Sequence, residues 1–598
     1  VRGALVALAA TIVLAPAASA ATPDQVGSWG AVMDLGLPAA HEVVMHNGKV
    51  LFWTDTQART WDPASGQVSA VPYPFPGSAN YHAAAQVVLP DGRVMAIGGQ
   101  ADPLHGGITS TAVFDPATLQ WSPAADLLYS RANPTATALP DGRVLVAYGQ
   151  DLNGGNVAVP EVYDPASNSW TALRSAGRTQ DSYAFDFVLP SGSIFNAAPA
   201  AATGLLGLVS GTWTPGPVSG WQTVGNSESA AMYRPGKIIR SGGTTPDLAA
   251  TSTGTPRTAV IDMTSAAPAW TETAPMAFAR RRHNLVILAD GEVMAVGGTA
   301  QGDDASQAVL AGEIWNPATQ QWTTVASMSE PRMFHSAAVL LPDGRVLAAG
   351  GEPTTAGPVT TRHGQVYSPP YLFKGPRPAI AAAPDHVDYG APFTISTPDA
   401  AGIATVALIR PSAVIHGNNM DQRYVPLAFT AGDGTLTATA PPDGATAPPG
   451  WYMLVIDSAA GVPSVASWIQ VGTNATPPSG TGPGPGIQKP RPVPVSRTRL
   501  VVPRRVSLRT IRRQHGLRIT VRLAGRPRVV QARLVRPPRR TIATTVRSPR
   551  GRATVRLLLG GRALRRGLRP GRYLVQVRVG SSARRLGRPV QVRIAVVR

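Results

Sequence analysis

An all-β protein assembled from a repeated four-stranded unit is what three features of this 598-residue sequence predict. The chain holds 61 glycines and 57 prolines with only 15% charged residues, a composition that leaves no room for long amphipathic helices and favours short strands joined by turns. Apolar runs flank tight Asp-Gly turns and end in paired glycines, as in Val87-Val88-Leu89-Pro90-Asp91-Gly92-Arg93-Val94 to Gly98-Gly99, and Leu340-Leu341-Pro342-Asp343-Gly344-Arg345-Val346 to Gly350-Gly351. The turn glycines then recur at Gly48, Gly92, Gly142, Gly192, Gly236, Gly291 and Gly344, 44 to 55 residues apart. A fixed period of that length marks one supersecondary unit per repeat, and seven units predict a seven-bladed β-propeller over residues 25–372.

The remaining elements follow in chain order. Arg2, an apolar run from Ala4 to Leu14 and the small-residue pattern Ala18-Ser19-Ala20 predict a secretory signal peptide over residues 1–20, hence a secreted or cell-surface protein. No other stretch reaches the eighteen or so apolar residues that a membrane helix needs. Within the repeats, Phe114-Asp115-Pro116 leads to Trp121, Tyr163-Asp164-Pro165 to Trp170, and Trp315-Asn316-Pro317 to Trp322. Paired glycine, then an aromatic, then tryptophan resembles the kelch repeat. The period breaks after Pro376. Residues 376–472 carry Phe393-Thr394-Ile395, Val406-Ala407-Leu408-Ile409 and Trp451-Tyr452-Met453-Leu454-Val455-Ile456 between Gly/Pro/Asp turns, which predicts an immunoglobulin-like β-sandwich. Residues 473–498 read as a Pro/Gly-rich linker, and 499–598 as an extra Arg-rich β domain in which apolar positions alternate with arginine.

Charge divides the chain in two. From Gln488 onward there are 31 arginines and one lysine and no carboxylate, so the 34 acidic residues all precede it, against the other 22 of the 54 basic ones. The basic end predicts attraction to an anionic cell-surface polymer, with no motif for specific nucleic-acid reading. There is no cysteine, which excludes disulfides, zinc–thiolate sites and cysteine nucleophiles.

Longer ordered segments carry a more specific resemblance. Gly27-Ser28-Trp29-Gly30 with Met33-Asp34-Leu35, then Gln365-Val366-Tyr367-Ser368-Pro369-Pro370-Tyr371-Leu372, then His416 through Asp421-Gln422-Arg423, Pro449-Gly450-Trp451 and Ala460 to Ser467, resemble the galactose oxidase and glyoxal oxidase family. That resemblance implies a kelch-type propeller, a galactose-oxidase-like early-set domain, and a copper held by two histidines and two tyrosines, one of them cross-linked to cysteine as a radical. Arg332-Met333-Phe334-His335-Ser336 is similar to the family's Arg-x-Tyr-His-Ser, so His335 stands for one ligand and Phe334 replaces the axial tyrosine. Arg131-Ala132-Asn133-Pro134-Thr135 places Asn133 at the radical tyrosine, Tyr81-His82-Ala83-Ala84 places His82 at the cysteine, and His416 stands for the second histidine.

His82, Asn133, Tyr183, His283 and His335 fall close ahead of their turn glycines and are expected to ring one mouth of the propeller. Three function classes follow. The first is a monomeric secreted binding protein for carbohydrate or cell-surface polymer, with a degenerate copper-radical site. The second is a copper- or other metal-dependent enzyme using His335, His416 and His82 without the Tyr–Cys radical. The third, a working radical oxidase, conflicts with His82, Asn133, Phe334 and the missing cysteine. Asp421-Gln422-Arg423 and the repeat tryptophans are read as structural.

Overall fold

The computed structural model describes residues 21–54, 57–73, 83–102, 105–180, 182–225, 227–244, 252–351 and 362–472, and the strands between 499 and 597. The predicted signal peptide, the linker 473–498 and His82 lie outside the described residues. Apart from one short helix, Pro23–Val26, and three 3-10 turns, the described structure is strand and loop. Among the described residues no helix is long and apolar enough to cross a membrane.

One repeat explains the others. Ala85–Val88 and Val94–Ile97 pair antiparallel across the Asp91-Gly92 turn, where Gly92 takes φ +87° and its N–H closes on the Leu89 carbonyl. Both strands are buried along their length because neighbouring sheets cover them on two faces, so they read as continuous apolar runs. Thr111–Asp115 and Gln120–Pro123 complete the sheet, and this outermost strand is largely exposed, which is why its sequence turns polar.

Seven sheets of this kind occur among the described residues, one for each turn glycine. The last is completed by the start of the chain, since Ser28–Trp29 pairs with His363–Ser368 in the register Trp29 to Tyr367. Several of the repeat tryptophans fasten a sheet to the one before it. The indole N–H of Trp170 donates to the Ala125 carbonyl, that of Trp213 to Ala176, and that of Trp29 to Ala326. These rings thus combine apolar burial with a satisfied donor at the sheet boundary.

The following domain is a two-sheet sandwich. A five-stranded sheet contains Ile403–Arg410, Arg423–Leu427, Gly450–Ser458 and Ser467–Val471, and a three-stranded sheet contains Pro392–Ser396, Phe429–Ala431 and Thr435–Thr439. Ile395, Leu408, Leu436, Tyr452 and Ile469 meet between them. Residues 478–598 form a separate compact unit. It holds a three-stranded and a six-stranded sheet, and Tyr573, Val575 and Val577 are buried at every second position of the strand Gly571–Ser582.

Candidate functional site at the propeller mouth

Five residues share one backbone peculiarity. Ala83, Asn133, Tyr183, Arg282 and His335 all take left-handed φ, between 53° and 61°, and each lies nine positions before its turn glycine. For residues other than glycine this conformation is costly, about 1 kcal/mol or more, and its recurrence at one repeat position marks a built feature. It lies where the chain enters the inner strand of each sheet. The ring is linked by backbone bonds: the Asn133 N–H donates to Ala83 O, the Tyr183 N–H to Asn133 O, and the Arg282 N–H to Ser227 O.

This corrects the expected ring at one point. His283 is one residue out of phase, and a shift of one position in an extended segment turns the side chain away. Instead of lining the mouth it is fully buried, hydrogen-bonded through Nε2 to the Ser241 hydroxyl at 2.9 Å, with its pKa pushed down to about 3 by burial and then by Arg280. Arg282 occupies the mouth position. In the sheet that follows His82, the residue at the shared position is Ala83, a buried methyl.

His416 reaches the same place from the sandwich domain, 81 positions beyond His335 in sequence. Ala413–Ile415 pairs with His41–Val44, the innermost strand of the first sheet, and Ile415 pairs back with Asn418. Only His416 and Gly417 lie between, with φ of 51° and 71°, the two positive values of a tight two-residue hairpin turn. Polar side chains stitch this hairpin and its return strand into the propeller. Asn418 donates to the Tyr183 and Ala184 carbonyls, and Gly417 O accepts from the Ser229 hydroxyl. Asp421 accepts from the Val88 N–H and pairs with Arg410, Gln422 exchanges bonds with Leu285 and Ile287, and Arg423 donates to Val188 O. Asp421-Gln422-Arg423 therefore serves three different inner strands, a structural role.

The side chains assembled there are close. The His335 and His416 rings stand 4.4 Å apart between centroids and 78° to one another, and are 8% and 5% exposed. Phe334 stacks on His335 at 3.8 Å, and Tyr183 stacks on His416 at 4.7 Å. Burial lifts the Tyr183 phenol far above its ordinary range, so it stays protonated. The Arg282 guanidinium lies 3.9 Å from the centre of the Phe334 ring and is tied through Nε to Asp303 at 2.7 Å. No cluster of three or more His, Cys, Asp or Glu side chains with metal-binding proximity occurs among the described residues.

His335 and His416 are thus brought together, and Phe334 sits against both. Asn133 is partly exposed in the ring. Arg282 was missed by the sequence reading, although counting nine residues back from Gly291 finds it. A polar cleft of about 210 Å³ was also missed, because its lining, which includes Trp221, Thr223, Thr244, Thr255 and Arg257, comes from three separate segments of the chain.

Residues 228–367 match the family described as glyoxal oxidase N-terminus, and residues 377–471 match the galactose oxidase-like early set domain. A galactose oxidase of Gibberella zeae is 30% identical over 494 residues, covering 74% of this chain and 70% of its own. An aldehyde oxidase of Vitis pseudoreticulata is 30% identical over 431 residues, covering 64% of this chain and 80% of its own. Among solved structures, a fungal alcohol oxidase in complex with copper is similar with a TM-score of 0.67 at 26% identity, over 75% of this chain and 100% of that one.

Proposed function

The chain belongs to the galactose oxidase and glyoxal oxidase family, and from that membership we propose that it is an exported protein that binds carbohydrate or a cell-surface polymer at the propeller mouth, its copper-radical site degenerate. The observation that carries this reading is the residue set in the ring. A thioether-linked tyrosine radical needs a tyrosine and a cysteine side by side, and the chain has Asn133 at the first position, His82 or Ala83 at the second, and no cysteine anywhere. An amide yields no stable radical, and Phe334 has no oxygen to hold metal or take a proton. The residues present do not fit that cofactor, so two-electron alcohol oxidation through it has no support here. The cleft lined by Gln222, Thr223, Thr244, Thr255 and Arg257 offers amide, hydroxyl and guanidinium groups that suit a polyhydroxy ligand.

A second reading is favoured by the proximity of His335 and His416. Two imidazoles from different domains, 4.4 Å apart between ring centres, suit copper or zinc, with His82 as a third donor if it reaches inward. A metal held there would supply a polarised water. The protein would then be a metal-dependent oxidase or other enzyme without the Tyr–Cys radical. In this reading Tyr183, packed on His416 and protonated, orients that ring.

Purified full-length protein, reconstituted with copper and examined for metal content and by electron paramagnetic resonance, separates the two. Less than about 0.1 copper per chain, with binding in a screen of neutral and acidic sugars, is the outcome expected for the binding protein. One copper per chain that disappears in both His335→Ala and His416→Ala would transfer the assignment to the metal enzyme.

A further inference from the structure

A second cleft adjoins the polar one. It measures about 160 Å³, its lining includes Asn156, Thr179, Gln180 and Pro199, and it shares Gln222 and Thr223 with the cleft of about 210 Å³. Both lie at the ring end of their sheets, away from the turn glycines: Thr179 and Gln180 lead into Tyr183, and Gly243 and Thr244 follow directly on the strand Lys237–Gly242. Each alone is smaller than the roughly 300 Å³ at which small-molecule sites begin, and the two joined exceed it.

The segment shared by the clefts is bonded to both. The Thr223 N–H donates to the Pro199 carbonyl at 3.1 Å, and the Val224 N–H donates to the Thr244 carbonyl at 3.0 Å. The Thr223 hydroxyl donates to Glu228, whose carboxylate is held by Arg240 at 2.8 Å. The Arg240 and Arg257 guanidinium groups lie 4.6 Å and 4.7 Å from the centre of the Trp221 ring, which is 4% exposed and so offers a sugar no stacking platform. Gln222, between these two anchored residues, is exposed, and its amide stands where the clefts meet. A lining fixed in advance loses little conformational freedom when it takes up a ligand.

Among the described residues the polar side chains of the two linings are amides and hydroxyls, apart from one charged group, Arg257, which is paired with Glu272. Amides and hydroxyls both donate and accept, as sugar hydroxyls do, and the one charge is already matched. Resting on the reading of the mouth as a carbohydrate-binding site, we propose that the two clefts are adjacent subsites of one groove, and that its ligand is a neutral glycan of two or more units whose chain crosses at Gln222.

Calorimetric titration of the full-length protein with two neutral series of increasing length, glucose to cellotriose and galactose to galactotriose, tests the inference. In the series that binds, the disaccharide is expected to bind about 10-fold or more tightly than the monosaccharide, the worth of a second small set of hydrogen bonds. Gln222→Ala should bring the two within about twofold of each other. Thr179→Val and Thr253→Val, one in each cleft, should each weaken the disaccharide. All three side chains are exposed, and a thermal melt of each variant establishes that it folds. Digalacturonate, titrated at high salt to screen the arginine-rich unit, should bind no more tightly than galactobiose. A monosaccharide bound as tightly as its disaccharide, or a length advantage unchanged in Gln222→Ala, overturns the groove and leaves the carbohydrate-binding reading standing. Digalacturonate bound more tightly overturns the neutral ligand. Failure of every sugar to bind overturns both this inference and the reading beneath it.

Discussion

At the scale of single residues the molecule holds ionisable groups in states that water would not allow, and two of them predict opposite responses to pH. Buried His283 has its pKa pushed down to about 3, so between roughly pH 6.5 and 3 an unfolded chain takes up a proton that the folded one refuses. Stability contributed by this group is complete above its unfolded value and is lost as the pH falls toward 3. Asp186 is the reverse case. It accepts from the Asn196 amide at 2.8 Å and the Tyr148 hydroxyl at 3.2 Å, yet burial lifts its pKa to about 7. The folded state then binds the extra proton, so this stability is present below the ordinary carboxylate range and is lost as the pH rises through 7. Asp186→Asn removes the second slope. Unfolding free energies measured in urea from pH 5 to 8.5 should decline less in this variant than in the parent, by a difference on the order of 1–3 kcal/mol at the alkaline end. Parallel curves would show that Asp186 is ionised in the folded protein.

At the scale of elements, three of the sheets use a polar group on the third strand to hold the segment that leads to the mouth. Glu313 accepts from the Ala277 N–H and pairs with Arg280, and Glu161 accepts from the Leu128 and Tyr129 N–H groups and pairs with Arg131. In the last sheet the same position is Gln365, which accepts from the Ser329 N–H while Arg332 pairs with Glu330. The Glu313–Arg280 and Glu161–Arg131 pairs are fully buried, so their worth lies less in attraction than in what remains when one partner is removed. Glu313→Gln strands the Arg280 charge and should cost about 3–5 kcal/mol in urea unfolding. It should also loosen the loop bearing Arg282. Gln365→Ala removes no charge partner and should cost less, about 1–2 kcal/mol. Equal losses would mean that the charge of Glu313 adds nothing to its hydrogen bonds.

At the scale of the whole molecule, the chain joins an acidic portion to a terminal unit whose charged residues are all basic. Binding of the full-length protein to an anionic polymer such as teichoic acid should weaken steeply with salt, by about 10³-fold or more between 50 and 200 mM if six or more charges are engaged. A salt-independent affinity would transfer that binding to the mouth. The architecture was legible beforehand because it is written in a period: turn glycines every 44 to 55 residues, strand runs buried on two faces, and tryptophans that recur with the repeat. The kept histidines and lost redox residues were legible from local motifs. Arg282 was within reach of the same counting, but a one-residue phase error in an extended segment exchanges the mouth for the core, and His283 was read in its place. By itself the sequence determined the repeat, the charge division and the absence of thiol chemistry, since composition and spacing are properties of the chain alone. Only the tertiary structure decided that His416 meets His335, that Arg282 lies on Phe334 beside Asp303, and that Trp221, Thr244 and Thr255 line one cleft. These depend on a hairpin from one domain entering another and on loops from separate sheets converging, and the order of residues along a chain does not encode such distances locally.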